Sequence, residues 1–302
     1  MKALHAADCK QANLSKMQLA GASNPTKEEN TMKQHMGSSG RRWPPGRLIV
    51  AAGVALTMTL PLPRSAGAAS SDDAMALLHA MSDYIAGQRT ISLTYDSDVE
   101  VITADVQKIQ FTSSGQLQLS RPDKLRVTRT GGYADVVLTF DGKTVTLLGK
   151  DANSYTQVEA PGSVDQLVDR LRDEFSMSAP GADLVLSRVF EQLADGVIDA
   201  KHVGVGVIDG VECEHLAFRN TDTDWQIWIE IGARPIPHKY VITSKAVAAA
   251  PQYTLRIKEW KTDAVGADAF TFKSPQGAKK VAMEGLGSVD EVPQGVVTGA
   301  KK

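Results

Sequence analysis

From residue 91 onward, apolar and polar positions alternate with a period of two. Ile91, Leu93, Tyr95, Val99 and Val101 share one parity, and Ser92, Thr94, Asp96, Asp98 and Glu100 the other. That is the pattern of a strand buried on one face. Shorter strand-like runs follow at 109–111, 116–119, 125–130, 134–140, 144–148 and 154–158. Ser114-Gly115, Arg121-Pro122-Asp123, Gly131-Gly132, Asp141-Gly142 and Ala152-Asn153 separate them. Asp-Gly between alternating apolar runs predicts a hairpin, because these residues accept the positive φ that a tight turn requires. Consecutive hairpins make an antiparallel meander, since parallel neighbours need crossovers of about a dozen residues or more.

Helical spacing appears in three places. Ala74, Leu77, Leu78, Met81, Tyr84 and Ile85 form one stripe, which Ser71 or Asp72 can cap and Gly87 ends. Val164, Leu167, Val168, Leu171 and Phe175 form a second, and Ser163 with Gln166 fits a capping box. A third helix is expected over 183–193, between Pro180-Gly181 and Gly196. Strands then resume at 197–207, 211–219, 225–231, 238–244, 252–262 and 271–273, with Asp209-Gly210 a further hairpin turn. The pattern predicts a mainly β protein with some helix. It has a large curled antiparallel sheet, an open half-barrel, and a helical lid on its concave face. Such a hollow is a common ligand-site geometry.

The N-terminal third changes the picture. Basic 41–47 precedes an uncharged apolar run, 48–62, and then the small residues Ser65-Ala66-Gly67-Ala68-Ala69. These are the three parts of a secretory signal peptide, and the run is shorter than the roughly 20 residues of a membrane span. We expect an over-extended start at 1–35, a signal peptide at 36–68, one domain at 69–277 and a disordered tail at 278–302. Cleavage near Ala68 would leave a periplasmic chain with no stable membrane span. Arg41-Arg42 raises twin-arginine export as an alternative to the general route. Residues 69–302 carry 24 Lys and Arg against 32 Asp and Glu, a net charge of −8. A nucleic-acid partner is not expected on such a surface. Cys213 is the single cysteine of that stretch, so no internal disulfide can staple the fold.

Several short segments resemble a known family. Arg121-Pro122-Asp123-Lys124-Leu125, Phe140-Asp141-Gly142-Lys143 and the run from Phe270 to Gly277 are similar, in the same order, to the LolA-like periplasmic lipoprotein carriers. Ala160-Pro161-Gly162-Ser163-Val164-Asp165, Asp209-Gly210-Val211-Glu212-Cys213, Asp224-Trp225-Gln226-Ile227-Trp228-Ile229 and Pro235-Ile236-Pro237-His238-Lys239 are more similar to a family of predicted periplasmic proteins, domain of unknown function 2092. The resemblance covers about 72–282. It implies an open β-barrel whose hollow takes acyl chains under a helical lid. It also implies that Arg121 holds that lid shut. A turn cation with its head in water is the alternative for Arg121.

The candidate ligand lining is the apolar face of the first meander: Leu93, Tyr95, Val99, Val101, Leu117, Leu119, Val136, Leu138 and Phe140. Parity places these on one face of each strand but does not say whether that face is hollow or filled. The expected partner is a lipophilic small molecule or a lipoprotein acyl chain, with an envelope protein as a further candidate. An envelope sensor or adaptor without cargo is the rival reading, and a hydrolase the third. No Gly-x-Ser-x-Gly elbow occurs, and no catalytic residue, metal ligand or cofactor is assigned. Cys213 with His215 lacks a second pair of zinc ligands. Asp96, Asp98 and Glu100 suit a solvated strand face better than a calcium or acid–base site. Gly204-Val205-Gly206 lacks the third glycine and following helix of a phosphate loop. Trp225, Trp228, Trp260, Tyr240 and Tyr253 are either core or ligand lining.

Overall fold

A computed structural model describes residues 71–293 and 296, apart from 176, 178, 284, 285, 287 and 288. The expected leader and its upstream piece lie outside the described residues. Helix α1 (Ser71–Gly87) precedes the first meander of β1 (Thr90–Ile102), β2 (Lys108–Ser120), β3 (Lys124–Gly131), β4 (Asp135–Phe140), β5 (Thr144–Gly149) and β6 (Ser154–Glu159). Then come α2 (Val164–Asp173), a 3-10 turn (Ala182–Val185) and α3 (Val189–Ala194). The second meander is β7 (Asp199–Ile208), β8 (Val211–Arg219), β9 (Thr223–Glu230), β10 (Pro237–Ser244) and β11 (Gln252–Lys261), and a short β12 (Lys279–Lys280) closes the list.

All twelve strands form one sheet in the order β12-β6-β5-β4-β3-β2-β1-β11-β10-β9-β8-β7. Every pairing is antiparallel except that of β12 with β6. The two meanders join where β1 pairs with β11, from Ser92 opposite Lys261 to Val99 opposite Tyr253. The terminal strands β12 and β7 do not pair with each other, so the curled sheet stays open. The helical connection between β6 and β7 crosses the face on which the apolar parity of both meanders lies. One continuous core results, containing Leu78, Met81, Leu119, Phe140, Leu167, Leu193, Trp225, Ile227 and Tyr240, all 2 % exposed or less. Each such side chain stabilises the fold by roughly 1.5–3 kcal/mol through burial.

The capping box closes as its spacing predicts: Ser163 Oγ accepts from the Gln166 N–H at 3.3 Å, and Gln166 Oε1 accepts from the Ser163 N–H at 2.8 Å. Three local expectations fail. Ser114-Gly115 is not a turn but the middle of β2, where Gly115 lies opposite Tyr95. A Cβ there would stand 2.4 Å from the Tyr95 ring and 2.1 Å from the Thr128 carbonyl. The glycine is present for a ring that crosses it, not for a reversal. The helix expected over 183–193 is broken into the 3-10 turn and α3, because Asp165 takes the Ser187 N–H at 3.1 Å and its hydroxyl. Residues 271–273 form no strand; Phe272 instead packs its ring 4.9 Å from that of Tyr155.

Part of the stretch 278–302, expected to be a disordered tail, lies against the sheet. The Val281 N–H donates to the Tyr155 carbonyl at 2.9 Å, extending the β12–β6 pairing. Leu286 is 2 % exposed, packed with Ala134, Val136 and Leu147. Val289 and Glu291 reach the concave face.

Candidate ligand cavity

The core does not fill the concave face. A hollow of about 250 Å³ remains beneath the helical connection. Its floor is sheet: Leu93 and Tyr95 of β1, Leu117 of β2, Leu125 and Val127 of β3, Leu138 of β4, and Leu255 and Ile257 of β11. Its roof is Val168 and Leu171 of α2, with Met177, the stretch from Ala179 to Ala182, Leu184 and Val185. Val289 and Glu291 stand in its wall, so this volume is what remains with the C-terminal segment in place. That is just below the range of roughly 300–1,000 Å³ usual for small-molecule pockets. The lining is aliphatic over most of its extent. Its charged members, among the described residues, are Arg129 and Glu291.

The roof is pinned at defined points. Arg121, in the β2–β3 turn, donates from Nη2 to the Leu186 carbonyl and from Nε to the Gln88 carbonyl, each at 3.1 Å. It thereby ties the residue after the 3-10 turn to the end of α1. Burial pushes its guanidinium pKa down, and the nearby Asp165 carboxylate opposes that shift. Arg172 of α2, buried, reaches Asp183 of the roof at 3.7 Å.

One end of the hollow is polar. Ser97 of β1 and Ser113 of β2 are directly opposed and buried, their hydroxyls 2.8 Å apart. Both hydroxyls donate to Glu291 Oε1, at 3.0 and 2.6 Å. Arg129 of β3 places Nε 3.9 Å from the same oxygen, and its Nη2 donates to the Val289 carbonyl. The Tyr95 hydroxyl donates to the Thr128 carbonyl at 3.0 Å. Burial, then the Glu291 charge, push the Tyr95 phenol up to about 12, against the opposing pull of Arg129. The same two causes, burial foremost, raise Tyr253.

Of the residues nominated from parity, Leu93, Tyr95, Leu117, Val136 and Leu138 line the hollow. Leu119 and Phe140 have the right parity but lie in filled core, both fully buried. Val99 and Val101 lie beyond the polar row, outside the hollow. Sequence reasoning did not nominate Ser97, Ser113, Arg129, Glu291 or the roof residues.

The aromatic cluster divides. Tyr253 and Trp260 line the hollow. Trp225 and Tyr240 are buried core, with the Trp225 indole N–H donating to Asn220 Oδ1 at 3.1 Å. Trp228 lies on the other face, stacked on His215 at 4.1 Å. His215 bonds to Gln226, and Cys213 is buried with its thiol pKa raised by desolvation. Among the described residues no group of three or more His, Cys, Asp or Glu is placed to hold a metal. Asp96, Asp98 and Glu100 each meet a basic neighbour, Lys258, Arg256 and Lys108, on the sheet's other face. The Lys258 and Ser114 hydrogen bonds lower the Asp96 pKa. Gly204 and Gly206 lie in β7, with a bulge between His202 and Gly204.

Three solved structures are similar to the chain at low identity. The lipoprotein LppX of Mycobacterium tuberculosis is 15 % identical, with a TM-score of 0.42, over 66 % of this chain and 100 % of that one. LprF of Mycobacterium bovis is 13 % identical, with a TM-score of 0.37, over 66 % and 97 %. The LolA superfamily protein NE2245 of Nitrosomonas europaea is 10 % identical, with a TM-score of 0.31, over 66 % and 97 %. No curated protein matches the chain. Residues 74–284 match the family model described as predicted periplasmic protein, domain of unknown function 2092.

Proposed function

The chain belongs to this family of predicted periplasmic proteins, and from that premise we propose that it is a periplasmic binding protein or carrier. It sequesters a lipophilic ligand, a lipid or an acyl chain, in the hollow beneath its helical roof. The observation that carries this is the aliphatic cavity itself, floored by both meanders and roofed by a segment pinned at Arg121. Burying 300 Å² of ligand surface there would contribute roughly 7 kcal/mol at about 25 cal/mol per Å², before the costs of association. Arg121 acts as the latch of the roof in this reading. Removal of a leader near Ala68 delivers the domain to the periplasm. Among the described residues no helix is long and apolar enough to cross a membrane.

Native mass spectrometry of residues 69–302, purified from a bacterial periplasm without detergent, tests the proposal. A mass excess that extracts into organic solvent is expected. A bare mass, together with no uptake of an added apolar probe, would refute it. One observation favours the sensor or adaptor reading instead. Among the described residues strand β7 is an edge of the sheet and presents Val203, Val205 and Val207, each more than half exposed, and such edges recruit other strands. A bare mass with a protein co-purifying through β7 would support that reading.

A further inference from the structure

The polar end of the hollow is assembled from donors. Ser97, Ser113 and Arg129 all occupy the apolar parity of their strands, and register brings them to one place. The acids of β1, Asp96, Asp98 and Glu100, point to the opposite face and are engaged there. The one carboxylate that reaches this row among the described residues is Glu291, from the C-terminal segment rather than from the sheet. Even so the fit is incomplete. Arg129 Nε is buried without a hydrogen-bond partner among the described residues, 3.9 Å from the Glu291 oxygen. Away from this row the lining is apolar, aliphatic through Val127 and Leu125 to the roof at Leu184, with the Trp260 ring beside Leu93 and Ile257 among the lining residues. A cationic donor set at one end of an aliphatic hollow is complementary to an anionic amphiphile.

We propose that Arg129, Ser97 and Ser113 form a headgroup site for a long-chain monocarboxylate, a fatty acid, and that Glu291 is its internal stand-in. The hydrocarbon chain lies along Val127, Leu125 and Leu138. Entry of the ligand displaces Glu291, and with it Val289, from the wall. Arg129 then gains a carboxylate free to approach Nε, which the tethered Glu291 does not reach. This rests on the reading of the hollow as a lipophilic ligand site and adds the chemistry of the headgroup to it.

The test titrates the purified full chain with cis-parinaric acid and with its methyl ester, following the fluorescence of the polyene. The two probes share a chain and differ in headgroup charge. The readout is the ratio of their affinities. Charge-assisted hydrogen bonds are the strong ones, so Glu291→Gln is expected to raise the acid-to-ester ratio about ten-fold. Arg129→Gln is expected to bring the ratio close to one. A ratio near one in the unaltered chain that Glu291→Gln does not move would overturn the headgroup site and leave the lipophilic hollow standing. Failure of both probes to bind any form would overturn the hollow itself. Glu291→Gln is isosteric and alters a residue outside the sheet, so it decides the matter even if Arg129→Gln does not fold.

Discussion

Leu138 and Phe140 are two residues apart on one face of β4, and the structure assigns them opposite fates. Phe140 is fully buried in the core, whereas Leu138 is half-buried and fronts the hollow. Phe140→Ala removes a packed ring and leaves a void, a change that costs about 3–5 kcal/mol. At about 2–4 °C per kcal/mol for a domain of this size, its melting temperature should fall by roughly 6–20 °C. Leu138→Glu places a carboxylate where open space already adjoins the side chain. The loss of stability should be about 1 kcal/mol, or a few degrees. Its effect on binding is the larger one. A ligand loses contact with a leucine, worth up to about 1.5–3 kcal/mol, and must desolvate a charge, so affinity falls at least about ten-fold. The assay pairs thermal melts by circular dichroism with titration of N-phenyl-1-naphthylamine, an uncharged fluorescent probe. If Leu138→Glu lowers the melting temperature as far as Phe140→Ala does, the face is filled core and the hollow is wrong. If Leu138→Glu binds the probe as tightly as the unaltered chain, this hollow is not where apolar ligands go.

Three further outcomes follow. Arg121→Leu removes the bonds to the Gln88 and Leu186 carbonyls and should speed probe release by about ten-fold in stopped-flow dilution; an unaltered rate removes the latch. Gly115→Ala forces a methyl into the Tyr95 ring and the Thr128 carbonyl and should cost at least about 1–3 kcal/mol in chemical denaturation, so a neutral result would mean that β2 does not run through this position. Tyr95 has its phenol pKa raised from 10.0 to about 12, so its contribution is complete below pH 10 and is lost as pH rises through about 12. The Tyr95→Phe chain should therefore lose less stability across that window than the unaltered chain, by about 3 kcal/mol at most, and equal losses would show the phenol to be unperturbed.

The sheet and its first two helices were legible because their signals are local. Alternation at Ile91 to Val101, Asp-Gly turns and the Ser163–Gln166 box each depend on residues a few positions apart. Ser114-Gly115 misled because Ser-Gly is ordinarily turn chemistry, while its cause here, the Tyr95 ring, lies on the neighbouring strand. Parity correctly selected the inward face but not its hollow part. Leu117 and Leu119, or Leu138 and Phe140, are equivalent by alternation. They differ in what packs over them, which depends on where α2 and the segment 177–185 lie, and alternation along a strand does not encode that. The contribution of Tyr253, Leu255 and Ile257 to the floor depends on β1 pairing with β11, about 160 residues away in the chain. No local pattern announces that pairing.

The polar row was hidden for a different reason. Ser97, Ser113 and Arg129 each interrupt an apolar parity once, and one serine or arginine on an inward face is unremarkable by itself. Register makes the three interruptions coincide, and coincidence gives them chemical meaning. A guanidinium on a face that is otherwise aliphatic must find an anion, because an unpaired buried charge costs several kcal/mol. The sheet offers none there, since its nearby acids are committed to the opposite face by Ser114, Thr112 and the bases of β11. The requirement for an acid was therefore readable in principle from Arg129 alone, once its facing was known. The supplier, Glu291, comes from an aperiodic stretch that is easily set aside as a tail. An arginine that a sheet leaves to be neutralised by a remote segment is also one that a ligand can neutralise instead. On that argument the unmatched inward charge, more than the apolar lining around it, gives this hollow its chemical preference.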